Sequence, residues 1–276
     1  MKAAFTLTPS ESRRLIAKAV VEMEEIKAAR EKAYIIICGG TTNGFVVQEL
    51  TGKQIEPQTF TAGTSTNRVL CVTPAENRYP FPIILYKGVE VQKTTQEAFE
   101  DFHRETVVIK GANAVDPEGN VGVITSGFDG GTVAATIGTV TSTGLNYIVP
   151  VGLEKLVPSV KEAAIYTGSK TMDYSMGADF GMYCLVRAKV VTEIQALEIL
   201  TGVEAKHVAS GGIGGSEGAV ILVAMGEQPQ VEKAFSLVES IKGEQPVPGL
   251  RGSCEACIYN CAFQGLKESE LPAYLR

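Results

Sequence analysis

Along this chain, short runs of apolar residues that are typical of buried strands alternate with segments in which apolar residues recur at helical spacing. Short, β-branched runs predict buried strands at Tyr34–Cys38, Arg68–Val72, Pro82–Tyr86, Val107–Lys110, Val121–Thr125 and Tyr147–Val151. Between these runs, apolar residues at helical spacing predict helices at 41–51, Thr95–Glu105, Gly131–Thr141 and Leu153–Ala164. Strands that alternate with helices are typical of a mostly parallel sheet covered on both faces. The pattern therefore predicts an α/β fold of the Rossmann-like type.

The N-terminal region predicts one long amphipathic helix. Thr8 and Glu11 have the spacing of a capping box, and Pro9 occupies the first helical position, where its missing N–H costs nothing. The apolar period continues from there to about Arg30. One face of this helix is expected to pack on the body of the protein.

The pattern changes after Ser169. The order there is strand, helix, two strands and helix, at Met182–Val191, Glu193–Leu200, Glu204–Ala209, Ala219–Met225 and Val231–Lys242. This βαββα order is that of a ferredoxin-like module. We therefore expect an α/β domain over residues 1–170 and a ferredoxin-like α+β module over 171–243. A tail over 244–276 follows, which is rich in Pro and Gly and contains three of the six cysteines.

Composition and charge narrow the classes of partner. The 276 residues are 45% hydrophobic and 20% charged, as in ordinary globular proteins. A net charge of −6 without any basic cluster argues against nucleic-acid and membrane partners, because phosphate backbones and anionic lipids need a basic surface. Small anionic metabolites are compatible with this charge, since helix N-termini also bind phosphate. No signal-peptide pattern or membrane-length apolar run is seen, so we expect a cytoplasmic protein with reduced cysteines.

Two glycine-rich turns are candidates for ligand binding. Glycine lets the backbone approach a ligand, and the helix that follows each turn offers unpaired N–H groups. The first turn contributes Gly39, Gly40, Thr41, Thr42 and Asn43, and the second contributes Asp129, Gly130, Gly131 and Thr132. Both would meet at the carboxyl edge of the predicted sheet, where open α/β folds bind ligands. The alternative is a pair of plain strand–helix turns.

Two lysines are candidates for binding an anion at this edge. Lys155 is the first cationic candidate for an anionic ligand, and Lys110 is the second. The small polar stretch Thr61–Asn67 could form a wall of the pocket or a linker, and the linker is the favoured interpretation.

The segment after the strand Val107–Lys110 resembles a known family signature. Gly111-Ala112-Asn113 and Asp116 resemble the Gly-Ala-Asp-x-x-Asp pattern of ribose-5-phosphate isomerases, members of the NagB/RpiA/CoA-transferase superfamily. The resemblance implies a sugar phosphate or CoA-like ligand, with Asn113 in the site, and a homo-oligomer. If the protein is an enzyme, Asp116 or Glu118 would be the acid–base or nucleophilic group.

Departures from the family pattern bear on the reaction. Asn113 and Ala114 replace the expected Asp and Glu, Val121–Phe128 contains no Lys, and Thr132–Thr143 contains no carboxylate. Isomerisation by the family mechanism is therefore disfavoured. Two hypotheses remain open: an isomerase-like or CoA-transferase-like enzyme with an altered catalytic set, and a non-catalytic metabolite sensor or assembly protein.

Three cysteines of the tail suggest a metal or iron–sulfur site. Cys254, Cys257 and Cys261 have the spacing C-x₂-C-x₃-C, which permits shared coordination but leaves a fourth ligand to be found. The fold would have to supply it, and the candidates are Cys38, Cys71, Cys184 and His207. The alternative is that these cysteines are small apolar residues on a helix face.

Overall fold

Fourteen strands and eight α-helices make this a mixed α/β protein, and the computed structural model describes residues 1–276. The helices are α1 Pro9–Glu22, α2 Glu24–Lys32, α3 Thr41–Thr51, α4 Thr95–Glu100, α5 Gly131–Thr143, α6 Val160–Ile165, α7 Glu193–Thr201 and α8 Gln228–Ile241. The strands are β1 Lys2–Leu7, β2 Tyr34–Ile37, β3 Gly63–Thr66, β4 Val69–Val72, β5 Ile83–Tyr86, β6 Val89–Glu90, β7 Val107–Ile109, β8 Ala114–Val115, β9 Val121–Thr125, β10 Asn146–Pro150, β11 Gly181–Leu185, β12 Lys189–Val191, β13 Glu204–Ser210 and β14 Val220–Met225. None of the helices is long and apolar enough to cross a membrane.

The main sheet has six strands in the order β12-β10-β7-β2-β5-β6. The first four are parallel to one another, β5 runs antiparallel to β2, and β6 runs antiparallel to β5. Strand β2 is buried on both faces, because Ile35 and Ile37 join one core cluster and Tyr34 and Ile36 join the other. The predicted strand Pro82–Tyr86 forms the antiparallel strand β5, so the sheet is mixed and not wholly parallel; an apolar run reports burial and not strand direction.

Two predicted features in the middle of the chain also need correction. Strand β9 does not belong to the main sheet; it pairs antiparallel with β8 and β11 in a separate three-stranded sheet. The stretch Thr61–Asn67, interpreted as a linker, contains β3, which forms a hairpin with β4. Short polar strands of this kind lack the apolar alternation by which strands are recognised.

The predicted N-terminal helix is divided in two. The capping box of α1 is present, with Thr8 N donating to Glu11 Oε2 at 2.9 Å and Glu11 N donating to Thr8 Oγ1 at 3.4 Å. The helix breaks at Met23, whose backbone is extended with ψ 140°. Ile26 and Ala29 of α2 are buried on the continuation of the same apolar period. The break therefore cannot be recognised from the spacing of apolar residues.

Two other predicted helices are shorter than expected. The helix predicted over Thr95–Glu105 ends at Glu100. That predicted over Leu153–Ala164 is a 3₁₀ turn at Leu153–Lys155 followed by α6. Pro158 lies between these pieces and disfavours helical backbone at the residue before it, which explains the interruption.

A three-stranded antiparallel sheet, β1-β14-β13, packs beside the main sheet. Its third strand comes from the N-terminus, with Phe5 opposite Leu222, and not from the segment Met182–Val191. That segment is two strands, because a bend at 186–188 sends β11 to the small sheet of β9 and β12 to the main sheet. The boundary expected near residue 170 therefore does not separate the sheets.

Three apolar clusters of very different size hold these layers together. A cluster of 37 buried residues joins α1, α3, α7 and α8 to one face of the main sheet and to the sheet of β14. A cluster of 18 covers the other face of the main sheet, with α4, α5 and β9. The tail, residues 244–276, has only a 3₁₀ turn at Glu268–Glu270 as regular structure. It packs through a cluster of four buried residues: Val69, Phe263, Leu271 and Leu275.

Candidate functional site

A cavity of about 430 Å³ lies at the carboxyl ends of β2 and β7. Strand β2 leads into the turn at Gly39 and β7 leads into Lys110 and Gly111, and these residues line the cavity. The loop between β9 and α5 lines it as well, although β9 belongs to another sheet. The hairpin of β3 and β4 forms the opposite wall.

The structure brings nearly all predicted ligand-binding residues to this cavity. Those that line it are Gly39, Gly40, Thr41, Thr42, Asn113, Asp129, Gly130, Gly131, Thr132 and Lys155. Asn43 is the exception. Its fully buried amide donates to the carbonyl oxygens of Cys38 at 2.7 Å and Ile109 at 3.3 Å. Asn43 therefore ties the turn to β7 and supports the cavity from behind.

The helices that begin at the cavity have glycine at their N-caps. Gly40 precedes α3 and Gly130 precedes α5, and neither can donate or accept through a side chain. Helices α1, α4, α6 and α7 are instead capped by side chains: Thr8, Thr94, Ser159 and Thr192. In α5, Gly131 N donates to Asp129 Oδ1 at 3.0 Å. The start of α3 has no such side-chain acceptor, so its first N–H groups face the cavity without one.

Positive charge dominates the cavity lining. Arg13, Arg78, Lys110 and Lys155 line it, against one carboxylate, that of Asp129. Lys110 is 8% exposed, and its ammonium donates only to the carbonyl of Gly111, at 3.2 Å. Burial lowers the pKa of Lys110; the nearby Cys38 opposes this, and Lys155 adds to it. The cavity thus holds a buried cation without a carboxylate partner, which an anionic ligand would compensate.

A buried cluster of charges extends from Lys155 away from the cavity. Glu154 Oε1 lies 3.5 Å from Lys155 Nζ and 3.7 Å from Arg13 Nη2. Glu193 accepts a hydrogen bond from Leu153 N at 2.9 Å. Burial, together with the charge of Glu154, raises the pKa of Glu193 to about 7. This carboxyl therefore exchanges its proton near neutral pH, within a cluster that includes two of the cavity's cations.

The predicted catalytic carboxylates lie outside the cavity. Asp116 accepts hydrogen bonds from the backbone N–H groups of Glu118, Asn120 and Val160 at 2.9–3.1 Å. Burial by itself would raise the pKa of Asp116, but these bonds and the Asn120 amide outweigh burial and lower it. Glu118 is exposed and pairs with Lys161 at 2.7 Å. A short polar side chain in a turn often binds its own backbone in this way, and here it joins the β8–β9 turn to α6.

Two cationic residues of the cavity were missed from the sequence. Arg13 lies on α1, which the pattern presented only as a packing helix, and Arg78 follows the 3₁₀ turn Ala75–Asn77. The sequence carries no signal for either residue, because the burial of the polar neighbours Glu11 and Ser12 on α1 is visible only in the structure.

A second cavity, of about 290 Å³, lies between β4 and the tail. Four cysteines line it: Cys71, Cys254, Cys257 and Cys261. Cys71 and Tyr259 also line the first cavity, so the two cavities share a wall. All six cysteines are free thiols. No group of three or more His, Cys, Asp or Glu side chains is arranged to hold a metal ion.

Comparison with protein-family models, with curated proteins and with solved structures gives no match.

Proposed function

We propose that the cavity at the carboxyl ends of β2 and β7 binds a small anionic metabolite, of the sugar-phosphate or CoA-like class. The observation that carries this proposal is the charge of the lining, four cationic side chains against one carboxylate. Its volume, about 430 Å³, falls within the range of roughly 300–1,000 Å³ that is usual for small-molecule sites.

The residues suggest how such an anion is held. Lys110, at the end of the central strand β7, supplies a buried charge that no protein carboxylate neutralises. The uncapped start of α3 supplies backbone N–H groups and the positive end of a helix dipole. The hydroxyls of Thr41, Thr42 and Thr132 supply further hydrogen bonds to phosphate or carboxylate oxygens.

Membership of the NagB/RpiA/CoA-transferase superfamily stays a prediction. Four parallel strands and glycine-rich turns at the cavity support it. Asn113, which stands at the position of the family's first Asp, accepts a hydrogen bond from Ile124 N at 3.0 Å. Asp116 and Glu118 lie outside the cavity. The carboxylates that would carry out the family's acid–base chemistry are therefore missing from it.

The second candidate function is a non-catalytic metabolite sensor. Its support is the state of Asp129, the one carboxylate that lines the cavity, which accepts a hydrogen bond from Gly131 N at 3.0 Å. A carboxylate that already accepts a hydrogen bond from the backbone of its own turn is poorly placed to transfer protons to or from a ligand.

A thermal-shift screen against sugar phosphates, acyl-CoAs and other phosphorylated metabolites tests the proposal. A ligand at a hundred times its dissociation constant should stabilise the fold by about 2.7 kcal/mol. Lys110→Met should abolish the shift, while Lys161→Met, on the exposed pair with Glu118, should retain it. A flat screen with folded protein would refute the proposal, as would equal shifts in the two variants. A hit without turnover of that compound would favour the sensor.

A further inference from the structure

The second cavity brings together cysteines from distant parts of the chain. Cys254, Cys257 and Cys261 lie within one short segment of the tail, and Cys71 lies on β4. The other candidates for a fourth ligand do not line this cavity. Cys184 is on β11, Cys38 follows β2, and His207 of β13 bonds to Ser210 at 2.7 Å. We propose that Cys71, Cys254, Cys257 and Cys261 hold a four-iron iron–sulfur cluster beside the metabolite cavity.

The spacing of the ligands supports a cluster. In two-cluster bacterial ferredoxins, three cysteines of a short run and one remote cysteine hold each [4Fe–4S] unit. The tail supplies three cysteines in one short run, spaced C-x₂-C-x₃-C where the ferredoxin run is C-x₂-C-x₂-C, and β4 supplies the remote thiol. Zinc sites of the four-cysteine type are usually built from two paired C-x₂₋₄-C elements, and Cys71 has no such partner nearby in sequence.

Groups around the thiols suit an anionic cluster. Arg251 Nη1 donates to Cys254 Sγ at 3.1 Å, and Phe263 N donates to Cys261 Sγ at 3.3 Å. Hydrogen bonds to ligating sulfurs are a usual feature of iron–sulfur sites, where they tune the potential. Arg251 is largely buried and also pairs with Glu268 at 3.1 Å, so its charge is held beside the thiols. Each thiol releases its proton when its sulfur binds iron, and Arg251 offsets the resulting negative charge.

The tail has little else to order it. It lacks α-helices and strands, contains no disulfide, and buries its apolar residues in a cluster of only four. Small irregular segments with so little core are commonly stabilised by a metal or by disulfides. Because Cys71 and Tyr259 line both cavities, a cluster here would form part of the wall of the metabolite cavity.

Iron and sulfide analysis of the full chain, produced and purified without oxygen, tests this assignment. We expect about four irons and four acid-labile sulfides per chain, with an EPR signal after reduction. If the isolated protein contains no iron, anaerobic reconstitution with ferrous iron, ferric iron and sulfide should load it to the same ratio, with the ferric iron supplying the two oxidising equivalents of the resting cluster. Zinc in place of iron, failure of reconstitution, or two irons per chain would each overturn the four-iron assignment.

Single substitutions identify the fourth ligand. Cys71→Ser should lose most of the iron and the EPR signal, whereas Cys184→Ser, a thiol on β11 outside the cavity, should retain both. Circular dichroism checks that each variant is folded. Equal iron content in the two variants would exclude Cys71 as a ligand. Limited proteolysis gives an independent measurement, because loss of the cluster should expose the tail to cleavage while leaving residues 1–243 intact.

Discussion

The first cavity has two walls of different construction. The sheet-side wall, formed by the turns after β2 and β7, is continuous with core clusters of 37 and 18 buried residues. The tail-side wall, formed by β4 and Tyr259, is supported by a cluster of four. Since burial of apolar surface is the main source of folding free energy, the first wall is fixed by the fold itself. The second wall has far less buried apolar surface behind it, so its position is less firmly held.

The largest expected effect comes from core truncation on each side. Ile36→Ala, at a fully buried position of β2, should lower the free energy of unfolding by about 2–5 kcal/mol. Leu271→Ala, in the tail cluster, should leave global unfolding nearly unchanged and instead speed proteolysis within 244–276. Chemical denaturation and timed proteolysis measure the two effects. Equal losses of global stability would show that the two walls form one cooperative unit.

A smaller effect is expected at Asp116, on the β8–β9 turn. Asp116→Ala removes the acceptor for three backbone N–H groups and should cost about 1–3 kcal/mol. Because the folded-state pKa of Asp116 is lowered, its contribution is present above its ordinary pKa of 3.8 and is lost as pH falls below that value. Denaturation between pH 3 and 7 should therefore show a weaker acid dependence in the variant.

Ligand binding by the same variant separates a structural role from a catalytic one. Asp116→Ala should retain the thermal shift with any ligand found, since Asp116 does not line the cavity. Glu118→Ala, which removes an exposed carboxylate, is the matched control and should resemble the parent protein in stability and binding. Loss of ligand binding in either variant would support the predicted role of that carboxylate in the site.

The smallest expected effect is at Glu193, behind the sheet-side wall. Its pKa is raised from 4.5 to about 7, so its contribution to stability is present below pH 4.5 and is lost as pH rises through 7. Glu193→Gln, which mimics the protonated form, should remove this dependence and raise the melting temperature at pH 8 by a few degrees. Glu204→Gln, at an exposed position, is the control. The charged neighbours of Glu193 are Arg13, Glu154 and Lys155. If the pH dependence of stability were the same in Glu193→Gln, protonation of Glu193 would not be its cause.

The sequence predicted the sheet-side wall much better than the tail-side wall. The buried strands at β2, β7 and β10 were visible as β-branched runs, and the glycine turns that follow them marked the cavity. Strand direction and sheet membership were not visible, which is why β9 was assigned to the wrong sheet. Apolar periodicity reports what is buried, whereas pairing between strands depends on the path of the whole chain.

The remaining features of the two cavities depend on contacts between segments that are distant in the sequence, and these contacts could not be predicted. Cys71 was one of four candidates for a fourth ligand, and only the packing of the tail against β4 distinguishes it. Arg13 reaches the cavity from a helix whose pattern indicated packing alone, and Arg78 reaches it from a segment in which no element was predicted. Asp116 had the right residue type beside the right strand, but its carboxylate turned toward its own loop. Side-chain direction at such a turn depends on local hydrogen bonds that a motif does not specify.

The pairing of β1 with β14 has a consequence for synthesis on the ribosome. Lys2 lies opposite Met225, so β1 is synthesised long before β14, its partner strand. At about 5–20 residues per second, the interval is roughly 10–45 s. During it, the apolar side chains of β1, including Phe5 and Leu7, have no partner strand and are open to aggregation or to chaperones. Strand β1 therefore stays unpaired while the whole segment that separates it from β14 is being made.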